Sequence, residues 1–245
     1  EDGVYITPVH WGKVEKRTWF SLIVMLLTVP LMLYLSVVLF HGKQYLAMSL
    51  IVVFFAMVPF FMVFEGRKPQ AREIMVIAVL AAIGVAGRAA FYMIPSFKPI
   101  AAIVILTGVS FGGEAGFLVG CMIMMVSNMF FGQGPWTPWQ MFSYGLIGFL
   151  AGILFQKGIL KAKKIPLCIY GFLSVIFIFG GIMNPASILM SYGRITWKSL
   201  IAFYISGIPV DLVQATSTVF FLWILSRPLL EKLERIKKKY GLIER

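Results

Sequence analysis

Apolar runs of about 20 residues, each long enough to cross a hydrocarbon core of roughly 30 Å as a helix, recur along the whole of this chain. They fall near 18–40, 45–64, 73–94, 99–111, 115–131, 139–156, 165–183 and 199–226, bounded by charged residues or by Pro and Gly. Backbone in lipid must satisfy its own N–H and C=O groups, which leaves helices and closed barrels as the available folds. The continuous apolar blocks, with 60% hydrophobic and 13% charged residues overall, fit neither a soluble domain nor the alternating strands of a β-barrel. The expectation is therefore an all-α, polytopic membrane helix bundle. The run 99–111 is too short for a straight crossing and has to be a short or broken element packed inside protein.

The runs at 18–40 and 45–64 carry almost no polar atoms, which suits helices that mostly meet lipid. From 73 onward Gly, Ala, Ser, Asn, Gln, Arg and Asp enter the spans, as in a packed bundle with a polar interior. The chain divides accordingly into an N-terminal segment 1–17, a two-helix membrane extension 18–70, a core 71–226 and a basic tail 227–245. It opens at Glu1 rather than an initiator Met, consistent with an N-terminus truncated or separated from an upstream segment.

Basic residues set the expected orientation. One set of loops carries Lys13, Lys16 and Arg17, then Arg67, Lys68 and Arg72, then Lys157, Lys161, Lys163 and Lys164, and finally the tail from Arg227. The other set carries only Lys43, Lys98, Arg194 and Lys198. By the positive-inside rule both termini are cytoplasmic and the loop near 131–140 faces outside. The net charge of +12 is then mostly topological, with contact to the lipid bilayer and its anionic headgroups, and nucleic acid is not an expected partner.

That outer loop reads Phe131-Gly132-Gln133-Gly134-Pro135-Trp136-Thr137-Pro138-Trp139-Gln140. Pro135 and Pro138 fix φ, and Gly132 and Gly134 allow close backbone approach, so the loop is rigid and shaped. An interfacial tryptophan belt explains Trp136 and Trp139 but has no use for the glutamines or the Pro spacing. Ligand contact uses all of them.

Embedded polar residues extend the candidate site. Arg88 lies about two turns below the outer end of its span, and an intramembrane Arg is costly unless it pairs or snorkels. Asp211 sits near the middle of the last span, two residues after the helix-loosening Pro209 and one turn before Gln214. Arg88 is the one obvious embedded cation for it, as a structural pair or at a ligand. With Asn128 and Asn184 near span ends, the candidate substrate-binding set is Arg88, Asn128, Gln133, Trp136, Trp139, Gln140, Tyr144, Asn184, Asp211 and Gln214. Aromatics and amides with few charges suit an organic solute better than a bare ion.

Catalysis finds no support, and no cofactor is expected. There is no carboxylate pair, no metal-ligand spacing and no nucleophile beside a His, since His10 and His41 lie outside the core. Cys121 and Cys168 fall inside apolar spans and read as small buried hydrophobes. No P-loop occurs, so ATP-driven work needs another subunit. Ala78, Ala82, Ala86 and Ala90 recur every fourth residue along one helix face, a stripe whose usual use is packing against a neighbouring span of the same chain.

The stretches "REIMVIAVLAAIGVAGRAAFYMIPSFKP", "GVSFGGEAGFLVG", "VSNMFFGQGPWTPWQMF" and "GLIGFLAGILF", with the late "GIPVDLVQATSTVFFLWILSRPLLEKLERIKKKYGL", resemble the substrate-binding S component of an energy-coupling factor (ECF) transporter. The similarity covers about two thirds of the chain and looks closest to the cobalamin-type S components. It implies a six-helix bundle in the bacterial cell membrane that captures a vitamin or precursor from outside, topples in the membrane and works with a transmembrane coupling subunit and two cytoplasmic ATPases. It also implies that Ala78, Ala82 and Ala86 dock the coupling subunit. Two departures stand out: two extra N-terminal spans, and Gln214 where the resemblance implies His. The competing reading is a self-sufficient secondary transporter using Arg88 and Asp211 as its coupling pair, although no inverted repeat relates the two halves.

Overall fold

Glycine sets the geometry at the centre of the bundle. In the computed structural model, which describes residues 3–7, 23, 54, 57, 58, 61 and 71–241, six helices follow one another. They are α1 (Ala71–Ala90), α2 (Ile100–Phe111), α3 (Gly113–Phe131), α4 (Thr137–Gln156), α5 (Lys164–Tyr192) and α6 (Trp197–Lys239). Gly113, Gly116 and Gly120 on α3 face Gly152, Gly148 and Tyr144–Gly145 on α4, an antiparallel match of two identical spacings. A Cβ added at Gly116 would stand 2.6 Å from the Gly148 carbonyl oxygen, and one at Gly152 would stand 2.2 Å from the Gly113 nitrogen. The backbones touch, so dispersion contacts and weak C–H···O contacts replace the side-chain layer, the mode of association open to helices in lipid.

The short α2 lies at the centre, as its length requires. All twelve of its residues are buried, and at ~1.5 Å per residue it spans about 18 Å of a roughly 30 Å core. It packs against α1, α3, α4 and α6. Gly112, at φ 97° and ψ 168°, turns the chain directly from α2 into α3, a conformation that suits glycine.

One boundary differs from the sequence expectation. The span expected to end at 183 continues to Tyr192, because Pro185 is accommodated inside α5. Pro185 has no N–H for the carbonyl of Gly181, and the Tyr204 hydroxyl of α6 donates to that oxygen instead at 3.1 Å. One turn earlier, Val175–Phe179 is wound as π-helix, with the Gly180 N–H reaching back to the Val175 carbonyl. The last span continues into the tail as one 43-residue helix, about 64 Å long at ~1.5 Å per residue.

The two expected N-terminal helices lie for the most part outside the described residues. Met57 and Phe61 belong to that region and pack on α3, the Met57 sulfur 3.9 Å from Cys121 Sγ and the Phe61 ring edge-on to Phe117 at 6.2 Å. Residues 3–7 cross the basic end, where Gly3 bridges to Lys163 and Thr7 bonds Glu234. Cys121 and Cys168 are buried free thiols.

Candidate functional site

At the end of the bundle away from the lysine-rich loop, α1, α3 and α4 converge on a hydrogen-bonded polar chain. α1 buries Ile77, Leu80, Ala81 and Gly84, the i, i+3, i+4, i+7 face that sits on α3. One turn beyond Gly84, that packing delivers Arg88 to the α3 residues Ser127 and Asn128. Arg88 Nη1 donates to Ser127 Oγ and to Asn128 Oδ1, each at 2.6 Å. Asn128, fully buried, passes its amide hydrogens to Thr137 Oγ1 and Gln140 Oε1, both at 2.9 Å. Thr137 in turn donates to Gln133 Oε1 at 2.9 Å, and Gln133 Nε2 reaches the Met125 carbonyl at 3.2 Å. The polar run of the loop thus folds back onto the α3 terminus, where Gly132 reverses the chain at φ 114°.

Aromatic rings flank the guanidinium. Arg88 lies 5.4 Å from the centre of the Phe131 ring, and Tyr92 stacks on that ring with centroids 4.7 Å apart and planes 22° from parallel. Lys98 closes the same corner. Its ammonium donates to the carbonyls of Phe91, Tyr92 and Ile94 and so caps the loosened end of α1.

The remaining candidates form two further groups. Gln214 of α6 donates to the buried Tyr144 hydroxyl of α4 at 2.6 Å, and the Tyr144 ring rests 5.0 Å from Phe179 at the end of the π-helical turn. Asn184 of α5 donates to Asp211 Oδ2 of α6 at 3.1 Å and to the Gly180 carbonyl at 2.9 Å. Glycine permits that contact. A Cβ at Gly207 would meet Asn184 Oδ1 at 2.5 Å, and one at Gly180 would meet Asp211 Oδ2 at 2.7 Å.

The expected Arg88–Asp211 pair is not made. Their depths alone would allow them to meet, but α1 packs on α2 and α3 while α6 packs on α2 and α5. Arg88 therefore meets Ser127 and Asn128, and Asp211 meets Asn184. The two loop tryptophans also separate. Trp136 is 38% exposed and folds over Gly134, whereas Trp139 is 8% exposed among Phe117, Cys121, Phe142, Ala186 and Leu189. Its indole N–H is buried without a hydrogen-bond partner among the described residues.

Sequence reading missed Ser127, Thr137, Tyr92 and Phe131. Thr137 stood inside the loop motif and Ser127 beside Asn128, so adjacency to the chosen residues was the available signal. The alanine stripe is where the sequence expectation from packing fails. Ala78, Ala82, Ala86 and Ala90 are all exposed, on the face of α1 away from the bundle.

Fold and site together define a multi-pass membrane helix bundle with a polar, aromatic-flanked cluster between its helices at one end. The chain belongs to the S components of ECF transporters: the family model described as ECF-type riboflavin transporter, S component, matches residues 68–235. It is also similar to UPF0397 proteins. One from Vibrio atlanticus is 30% identical over 125 residues, covering 48% of this chain and 68% of that protein. Others from Aliivibrio fischeri and Aliivibrio salmonicida are 35% identical over 89 residues, 34% of this chain and 48% of each relative. No solved structure matches the chain.

Proposed function

We propose that this chain captures an organic vitamin, of the flavin class, and delivers it across the membrane with a transmembrane coupling subunit and two ATPases. The observation that carries this reading is the Arg88–Asn128–Gln140 hydrogen-bonded chain, which gathers a cation, two amides, a Thr hydroxyl and stacked aromatic rings at one end of the bundle. A planar heteroaromatic solute with carbonyl and imide edges is complementary to such a set. Carbonyls accept from the guanidinium and amide hydrogens, imide N–H groups donate to amide oxygens, and the ring stacks. The family description supports riboflavin or a close relative ahead of the corrinoid expected from the cobalamin-type resemblance. In this reading the exposed alanine face of α1 meets the coupling subunit, and both termini are cytoplasmic.

The alternative of a secondary transporter coupled through Arg88 and Asp211 loses its main support with the pair unmade. The test is titration of the detergent-solubilised chain with riboflavin and with cobalamin, read by quenching of flavin fluorescence and by calorimetry. Saturable riboflavin binding with no cobalamin binding is the expected result. Cobalamin binding alone would return the substrate to the corrinoids, and uptake by this chain alone, driven by an ion gradient, would remove the S-component reading.

A further inference from the structure

A groove of about 540 Å³ runs along the bundle surface between the end of α4 and the first half of α5, lined by Leu154, Leu160, Pro166, Ile169, Leu173 and Phe177. The two polar residues beside it turn their hydroxyls away, Tyr170 to the Ile147 carbonyl at 2.6 Å and Ser174 to the Gly171 carbonyl at 3.1 Å. Ile169, Leu173 and Phe177 are 54%, 46% and 71% exposed. From Pro166 to Phe177 the helix runs about 16 Å at ~1.5 Å per residue. That is about one leaflet of a roughly 30 Å hydrocarbon core.

The turn at one end of the groove is rich in lysine. Lys157, Lys161, Lys163 and Lys164 lie in the turn that joins α4 to α5, either side of the groove residue Leu160. Lys164 Nζ stands 5.2 Å from the ring centre of Trp223, itself 53% exposed, which places an amphipathic aromatic beside the charge as at a headgroup layer. The N-cap residue Lys163 has extended backbone and supplies no side-chain cap, so the positive end of the α5 dipole adds to the lysines.

We infer that this groove is a binding site for one anionic phospholipid, its acyl chain along Leu154–Phe177 and its phosphate among Lys161, Lys163 and Lys164. An apolar slot of leaflet depth beside a lysine-rich turn matches the two ends of that molecule. A zwitterionic lipid matches only the slot. The site lies apart from the Arg88 cluster and stands whatever solute that cluster binds.

The test is native mass spectrometry of the full chain in mild detergent, titrated with phosphatidylglycerol or phosphatidylcholine. One phosphatidylglycerol should be retained in preference. A Lys161→Gln, Lys163→Gln, Lys164→Gln variant should hold it roughly a hundredfold more weakly, about fivefold per lysine, and the matching Arg variant should restore it. Leu173→Trp, which fills the slot without touching the charges, should also weaken retention. Equal retention of the two lipids, or unchanged retention in the Gln variant, would overturn the site. Displacement by inorganic phosphate with Leu173→Trp unaffected would overturn it in favour of a soluble anion, and so would a partner protein that occupies the groove in place of lipid.

Discussion

Two stripes of small residues run through this molecule, and they have opposite fates. The glycines of α3 and α4 are spent inside the chain, so close that an added Cβ at Gly148 would lie 2.5 Å from the Gly116 carbonyl oxygen. The alanines of α1, at positions 78, 82, 86 and 90, are exposed. Both obey the small-xxx-small grammar of membrane helices. What separates them is the opposite face of each helix. α1 already has an anchoring face in Ile77, Leu80, Ala81 and Gly84, so its alanine face is left over. Glycine brings backbones into contact at the cost of helix propensity, whereas alanine keeps the propensity and leaves a shallow, smooth surface. The buried stripe fixes the fold, and the open one stays exposed along α1.

The largest expected effect breaks the buried stripe. Gly116→Leu should cost more than about 3 kcal/mol, because the obstacle is backbone rather than a movable side chain. The loss of a monodisperse peak in size-exclusion chromatography would report it. Ala82→Leu should leave that peak and the unfolding temperature nearly unchanged, and equal damage from both would erase the distinction between the stripes. Trp139→Ala comes next, with a loss of about 3 kcal/mol of stability for a ring buried among Phe117, Phe142 and Leu189, while Trp136→Ala should cost little. Thermal unfolding of the two variants separates a core tryptophan from a surface one.

A smaller effect sits at the polar end. Arg88→Met should weaken solute binding about 10- to 150-fold, the range for losing a charged hydrogen bond, and leave the glycine seam intact. The smallest concerns the two embedded charges. A double-mutant cycle on Arg88→Met and Asp211→Asn should show coupling below about 0.5 kcal/mol, since the two bond different partners. Coupling of several kcal/mol in thermal unfolding would restore the pair.

How much of this was legible in the sequence follows from what a one-dimensional pattern encodes. Hydrophobic length gave the described spans from 73 onward, and the shortness of 99–111 correctly demanded burial. Position along a span gives depth but not azimuth, which is why Arg88 and Asp211 were matched with each other and Trp139 was grouped with the polar loop. The gathering of Arg88, Asn128, Gln133 and Gln140 was readable because a short loop tethers three of them. The extension of α5 past Pro185 was not, because it depends on a hydroxyl from Tyr204, a residue on another helix. The glycine match between α3 and α4 was present in the quoted motifs as two equal spacings, and only the pairing of the helices revealed its use.

We propose that the open alanine face serves a separate subunit while solute capture at the polar end of the bundle goes on without it. It is tested most directly by purifying the chain carrying Ala78→Leu and Ala82→Leu after co-expression with a coupling subunit and its two ATPases, and titrating the same preparation with riboflavin. The account predicts at least a tenfold loss of the assembled complex with flavin affinity unchanged. An assembled complex at wild-type yield, or a parallel loss of binding and assembly, would contradict it.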